Sequence, residues 1–146
     1  MPREAWDSAR EEAKAAIQHS GELNILGYDA DAAAIAALDA STRTVAMKHP
    51  IKTQVQNLFE RPVMAKELKP YDVVIFDPPR AGAKMQAEEI AASDVACVVG
   101  VSCNPTSFAR DAAILRDGGY ALSQVTPVDQ FVYAPHVELV GVFTKG

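Results

Sequence analysis

The sequence predicts an α/β fold built on a mostly parallel sheet that ends in an antiparallel strand, and three observations carry that expectation. Short apolar runs alternate along the chain with segments of helical period, the order in which crossover helices set parallel strands side by side. Two of the runs, Tyr71 to Phe76 and Ala96 to Ser102, are nearly continuous apolar stretches, as in strands covered on both faces. The last two runs, Tyr120 to Thr126 and Val137 to Thr144, have no helix between them, which lets them pair antiparallel.

From the N-terminus, Arg3 to His19 reads as a helix, because Trp6, Ala9, Ala13, Ala16 and Ile17 recur at helical spacing and Gly21 follows as a stop. Leu23 to Tyr28 is a strand and Asp29-Ala30-Asp31 a turn. Ala32 to Ala40 is a helix with Asp31 placed as its cap. Thr53 to Phe59 alternates weakly and is expected to be the next strand. After Tyr71 to Phe76 comes the stiff loop Asp77-Pro78-Pro79-Arg80-Ala81-Gly82, then a helix from about Ala83 to Ala92. Asn104-Pro105-Thr106 opens a helix running to about Arg116, and Asp117-Gly118-Gly119 closes it. No repeat or linker divides residues 1–146, so a single domain is expected.

With 49% hydrophobic and 23% charged residues the composition is that of a globular protein. No stretch approaches the roughly 20 apolar residues of a membrane span. Met1 to Arg10 carries mixed charges in place of a signal peptide's basic-then-apolar order, so the expected compartment is the cytoplasm. The two cysteines, Cys97 and Cys103, are too few for a disulfide framework or a four-thiolate metal site, and no metal centre is expected. The net charge of −5 is unlike that of a domain that grips nucleic acid unaided, since phosphate neutralisation dominates such affinity. An RNA substrate would have to be held partly by other elements.

In open sheets, ligands bind beyond the carboxyl ends of the strands, which singles out Asp29, Asn57-Leu58, Asp77 to Arg80 and Ser102-Cys103-Asn104-Pro105. A carboxylate such as Asp29, at the end of an early strand, can accept hydrogen bonds from both hydroxyls of a ribose. Helix capping is an equal alternative for Asp29 and the favoured one for Asp31. Asp77 and Arg80 are a carboxylate and a permanent cation joined by two prolines, which hold both ends in place. Cys103 lies at the mouth of a helix whose N-terminal dipole favours a thiolate, whereas Cys97, inside an apolar run, reads as a small hydrophobe. Glu138 lies close to the start of the last strand and is a candidate to face the same crevice. For His136 the pattern does not decide between a structural and a chemical role.

Phe76-Asp77-Pro78-Pro79-Arg80-Ala81-Gly82, Ser102-Cys103-Asn104-Pro105-Thr106 with Arg110-Asp111, and Asp129-Gln130-Phe131 with His136-Val137-Glu138 together resemble the RNA 5-methyluridine methyltransferases of transfer and ribosomal RNA. Order and spacing match along about the last half of the chain, and Gly27-Tyr28-Asp29-Ala30-Asp31 resembles that family's second strand. The resemblance implies a Rossmann-like class I methyltransferase sheet and S-adenosylmethionine as cofactor. It also implies that the Cys103 thiolate adds to carbon 6 of uracil, and that Glu138 removes the carbon 5 proton after methyl transfer. Asp77 and Arg80 would orient the flipped base, with Asn104 among the substrate contacts. Asp29 would hold the cofactor ribose, with Asn57 and Asp77 completing the cofactor side.

The chain also departs from that pattern. The family carries a glycine-rich first strand and turn that wraps the methionine part of the cofactor, and none stands ahead of Asp29. The first such strand is therefore expected to be missing from the sheet, and the catalytic domain to be partial. Family members add an N-terminal RNA-binding barrel, and some bind an iron–sulfur cluster; the 146 residues contain neither. Asn57 occupies a position where an aspartate is usual. Two competing readings stand beside this one. Arg3 to His19 with Ile25-Leu26-Gly27-Tyr28-Asp29 is similar to guanine-N2 RNA methyltransferases, against which Arg80 and Cys103 argue. The absent glycine loop also fits a truncated, non-catalytic module with a methyltransferase fold.

Overall fold

The computed structural model describes residues 23–44, 51–129 and 137–146, with helical residues at 3–4, 7–8, 10–12 and 15. The rest of the expected first helix, including Trp6, Ala9, Ala13, Ala16 and Ile17, lies outside the described residues, as do Gly21, Gln130, Phe131 and His136. The chain forms two compact units, Met1–Gln56 and Asn57–Gly146. Each carries its own sheet.

In the first unit β1 (Ile25–Asp29) and β2 (Ile51–Val55) pair in parallel, with Ile25 opposite Ile51 and Asp29 opposite Val55. Between them runs α1 (Ala32–Thr44). Asp31 caps it as expected, its Oδ1 accepting the Ala33 N–H at 2.8 Å. Asp39 Oδ1 accepts a hydrogen bond of 2.7 Å from the Thr53 hydroxyl, which ties α1 to β2.

The expected strand Thr53 to Phe59 is corrected to Ile51–Val55. Asn57 ends the extended run: its Oδ1 accepts the Phe59 N–H, and its carbonyl accepts those of Glu60 and Arg61. An asparagine that bonds its own backbone two residues on closes a turn, and the weak alternation beyond Val55 gives no sign of it.

The second unit holds β3 (Val73–Phe76), β4 (Cys97–Ser102), β5 (Tyr120–Val128) and β6 (Glu138–Lys145), in the order β3-β4-β6-β5. β3 and β4 are parallel. β6 runs antiparallel to both β4 and β5 and is inserted between them. Its helices are α2 (Ala65–Leu68), α3 (Lys84–Ala91) and α4 (Pro105–Asp117). One turn is too short to show a period, which is why α2 escapes the sequence reading. Gln86 of α3 holds the approach to α2 by accepting the Val63 N–H at 2.8 Å and donating to the Val63 carbonyl at 3.0 Å.

α4 packs on β4, β5 and β6 and against α3. Ile90, Val95, Val98, Leu115, Tyr120 and Phe143 form the dry centre of this unit. Gly100 stands directly opposite Gly141 in the ladder. A Cβ on Gly141 would come within 2.5 Å of Phe108 Cζ, and one on Gly100 within 3.3 Å of the Phe76 ring. The paired glycines make room for aromatic rings just ahead of the strand ends, where Phe108 of α4 meets Phe143.

β4 alternates, with Val98, Gly100 and Ser102 buried and Cys97, Val99 and Val101 half-buried. The expectation that Tyr71 to Phe76 is covered on both faces is corrected, because Val73 and Ile75, which share one face of β3, are exposed, Ile75 at 72%. Cys97 is half-buried at the first position of β4 rather than enclosed within a strand.

Candidate active site

The sheet of the second unit gathers the candidate residues at one end. β3 and β4 are in register with Phe76 beside Gly100, so Asp77 and Cys103 each follow the last residue of adjacent parallel strands. β6 starts at that same end because it runs the other way. The last registered pair of β4 and β6 is Ser102 with Leu139, so Cys103 follows β4 at the end where Glu138 begins β6. Glu138 is paired with Val128 of β5 on its other side. Cys103 and Glu138 are half-buried, while Asp77 and Arg80 are exposed. Cys103 is a free thiol.

The segment after β4 is held by short polar bonds. The buried Ser102 hydroxyl accepts the Asn104 N–H and reaches the Asn104 carbonyl, both at 3.2 Å, bracketing Cys103 between its two neighbours. Asn104 caps α4, its Oδ1 accepting the Thr106 N–H at 3.0 Å, and Pro105 takes the first helical position, where no N–H is needed. The Asn104 Nδ2 donates to the Arg80 carbonyl at 2.9 Å, linking this turn to the proline loop. Both ends of the Asn104 side chain thus serve backbone groups.

The proline loop turns back at Gly82, whose N–H donates to the Pro79 carbonyl at 2.8 Å and whose φ is 76°. A side chain there would meet Arg110, Asp111 and Ser107. The Asp111 Oδ2 accepts the Ala83 N–H at 2.8 Å, and its Oδ1 accepts from Nε and Nη2 of Arg110. Arg110 Nη2 also donates to the Ala81 carbonyl at 3.0 Å. The backbone from Arg80 to Ala83 is therefore fastened to α4 at three successive points.

Asp29 belongs to the first unit, where it ends β1 exposed, with its Oδ1 accepting the Asp31 N–H at 2.8 Å. One oxygen thus supports the turn, and the other has no hydrogen bond among the described residues. Asn57 is exposed at the head of its turn, with its side-chain oxygen on the Phe59 N–H. Asp77, Arg80, Cys103, Asn104 and Glu138 share one sheet end, whereas Asp29 ends a strand of the other unit's sheet and Asn57 lies in a turn outside both ladders. No group of three or more His, Cys, Asp or Glu that could hold a metal occurs among the described residues. No described helix is long and apolar enough to cross a membrane.

Sequence reasoning quoted Arg110-Asp111 but gave the pair no job. A signal was available, because Ser107, Asp111 and Leu115 are spaced by four and form the buried stripe of α4. A carboxylate on a helix's inward stripe needs a partner, and that requirement points to the loop above it.

The fold is the Rossmann-like sheet of class I methyltransferases. It is similar to magnesium protoporphyrin IX methyltransferase of Synechocystis, solved with bound S-adenosylhomocysteine, at a TM-score of 0.59 and 12% identity, over 84% of this chain and 64% of that one. A methyltransferase structure from Thermoplasma acidophilum matches at a TM-score of 0.52 and 12% identity, over 85% and 68%. Residues 8–145 match the model of the tRNA (uracil-5-)-methyltransferase family, and the chain belongs to that family. Among its relatives are RNA methyltransferases of Brucella melitensis, 56% identical over 80% of this chain, and of Caulobacter vibrioides, 54% identical over 83%. The chain spans only 28% and 29% of those two proteins.

Asn104 offers a test of how the turn is built. Asn104→Ala is expected to lower stability by about 0.5–2 kcal/mol through loss of the cap, read by urea unfolding. Asn104→Asp keeps the cap acceptor but has nothing to donate to the Arg80 carbonyl, so stability should hold while amide exchange at Gly82 and Ala83 accelerates. Unchanged exchange in both variants would show that the tie to Arg80 does not hold the loop.

Proposed function

We propose that the chain is the catalytic part of an S-adenosylmethionine-dependent RNA methyltransferase that acts in the cytoplasm on carbon 5 of a uridine in transfer or ribosomal RNA. The supporting observation is that Cys103 follows β4 at the sheet end where Glu138 begins β6, with Asp77 and Arg80 following β3 at the same end. Family membership and the class I sheet fit the same reading.

S-adenosylmethionine, when bound, supplies an electrophilic methyl group. Asp29 fits its ribose, being an exposed strand-end carboxylate with one oxygen not committed to the turn. Asn57 would lie by the adenine, and Asp77 at the junction of cofactor and base. Carbon 5 of uracil is a poor nucleophile, so the Cys103 thiolate first adds to carbon 6, forming a carbon–sulfur bond and moving the ring electrons toward carbon 5 and the carbonyl oxygen. Arg80 holds the base side of the site, while Asn104, expected from the sequence as a substrate contact, has both ends of its side chain on backbone groups and serves by holding the Arg80 carbonyl. Once carbon 5 bears the methyl group, Glu138 takes the carbon 5 proton, the ring double bond reforms and the carbon–sulfur bond breaks, releasing the thiolate. A net charge of −5 calls for an additional RNA-binding element to hold the substrate.

In the full natural chain, Cys103→Ala should abolish methyl transfer, whereas Cys97→Ala should cost only packing. Labelled methyl incorporation into RNA measures both, and turnover persisting in Cys103→Ala would remove the covalent mechanism.

Glu138→Gln should leave the first addition intact and block proton removal, giving a protein–RNA adduct that survives denaturing electrophoresis. Normal turnover without adduct would assign the base to another residue.

The 146 residues by themselves should bind S-adenosylmethionine weakly, because the sequence ahead of Asp29 carries only Gly21 and Gly27 and no glycine-rich run to hold the methionine carboxylate and amine. Each charge-assisted hydrogen bond contributes about 1.5–3 kcal/mol, so losing several should weaken binding by about a thousandfold. Titration calorimetry reads this directly. A dissociation constant of about 1 μM would show that these residues hold the whole cofactor without that loop.

A further inference from the structure

We infer that Asp111, with Arg110, is a positioning residue for the uridine reaction, setting the proline loop that carries Arg80 against the turn that carries Cys103; this rests on the function proposed above. The bonds run only to the loop's backbone. Asp111 takes the Ala83 N–H, Arg110 reaches the Ala81 carbonyl, and Asn104 reaches the Arg80 carbonyl. The Asp111 side chain is 5% exposed, and its own helix supplies the neutralising cation. Gly82 is flattened against this pair at a positive φ that leaves no room for a side chain.

The other supports of α4 do not need such a pair. Asn104 caps the helix, and Ser107 donates to the Asn104 carbonyl at 3.1 Å. Asp111 lies in the second turn, beyond the N-terminal N–H groups that a capping carboxylate would serve. Its acceptor oxygens go to Ala83 and to the arginine that holds Ala81. The pair therefore fixes a distance between two loops, and those loops bear the base-orienting cation and the nucleophile.

The test uses the full natural chain with S-adenosylmethionine and RNA carrying 5-fluorouridine, which retains the adduct because fluorine does not leave as a proton does. It compares wild type with Asp111→Ala, Asp111→Asn and Arg110→Ala. The last alters a side chain that is 43% exposed and so reads the clamp even should Asp111→Ala fail to fold. The readouts are the adduct-forming rate at saturating RNA, iodoacetamide alkylation of the Cys103 peptide, and the thermal midpoint. Misplacement by about 1 Å can cost about a hundredfold, so Asp111→Ala and Arg110→Ala should form adduct at least about tenfold more slowly, with Cys103 alkylation within about twofold of wild type. Asp111→Asn, which keeps an acceptor for Ala83, should fall between. Adduct rates equal to wild type would overturn the inference, as would losses of adduct matched by equal losses of alkylation and of the midpoint. A wild type that forms no adduct removes the covalent reading and this inference with it, so the two failures are told apart by the wild-type sample alone.

Discussion

One buried carboxylate governs how the candidate site is assembled. Asp111 is almost enclosed, and an ionised group removed from water is strongly unfavourable unless its oxygens are paired. Both are: one accepts a backbone N–H from the proline loop, the other the fork of Arg110. Because Arg110 also reaches the loop, a loop that moved away would take the Ala83 N–H from the buried Asp111 Oδ2 and the Ala81 carbonyl from Arg110, while the pair within the helix remained. The two prolines stiffen the loop from within, and the carboxylate anchors it from outside.

The turn after β4 is built on the same economy. The Ser102 hydroxyl bonds both the N–H and the carbonyl of Asn104 across Cys103, so the cysteine is placed by its neighbours while its thiol forms no disulfide. Glu138 is placed differently, by the ladder. β6 is paired on both sides, and a strand so enclosed cannot slip by one residue without turning Gly141 and Phe143 out of the packed face. The register that buries Phe143 is therefore also the one that brings the start of β6, with Glu138, to the end of β4 that Cys103 follows.

The strands and long helices were legible because apolar runs and helical period report burial directly: β4, α4 and the β5–β6 pair fall close to where the pattern puts them. Three features were not legible for a physical reason. β2 ends early because one asparagine side chain captures its own backbone, an event without periodicity. β3 has the composition of a strand covered on both faces, yet Val73 and Ile75 are exposed, since composition does not say what packs over each face. The insertion of β6 between β4 and β5 depends on pairing across distant segments, and sequence order says only that the last two strands can pair. In the site, residue identity pointed to Asp77, Arg80, Cys103 and Glu138, whereas the role of Asp111 required knowing that its stripe faces inward.

The charge balance fits this division of labour. A unit embedded in a chain of net charge −5 gains little affinity from phosphate neutralisation. Under the proposed chemistry it has less need of that affinity, because the bond from Cys103 to carbon 6 holds the base during methyl transfer and makes the remaining steps intramolecular. Intramolecular steps reward geometry over binding strength, with effective molarities of order 10⁵ M or more when the groups are well aligned. The demand then falls on the separation between thiol, base and general base. Those separations are set by backbone devices, a ladder register for Glu138 and a clamped loop for Arg80, rather than by long side chains reaching across solvent.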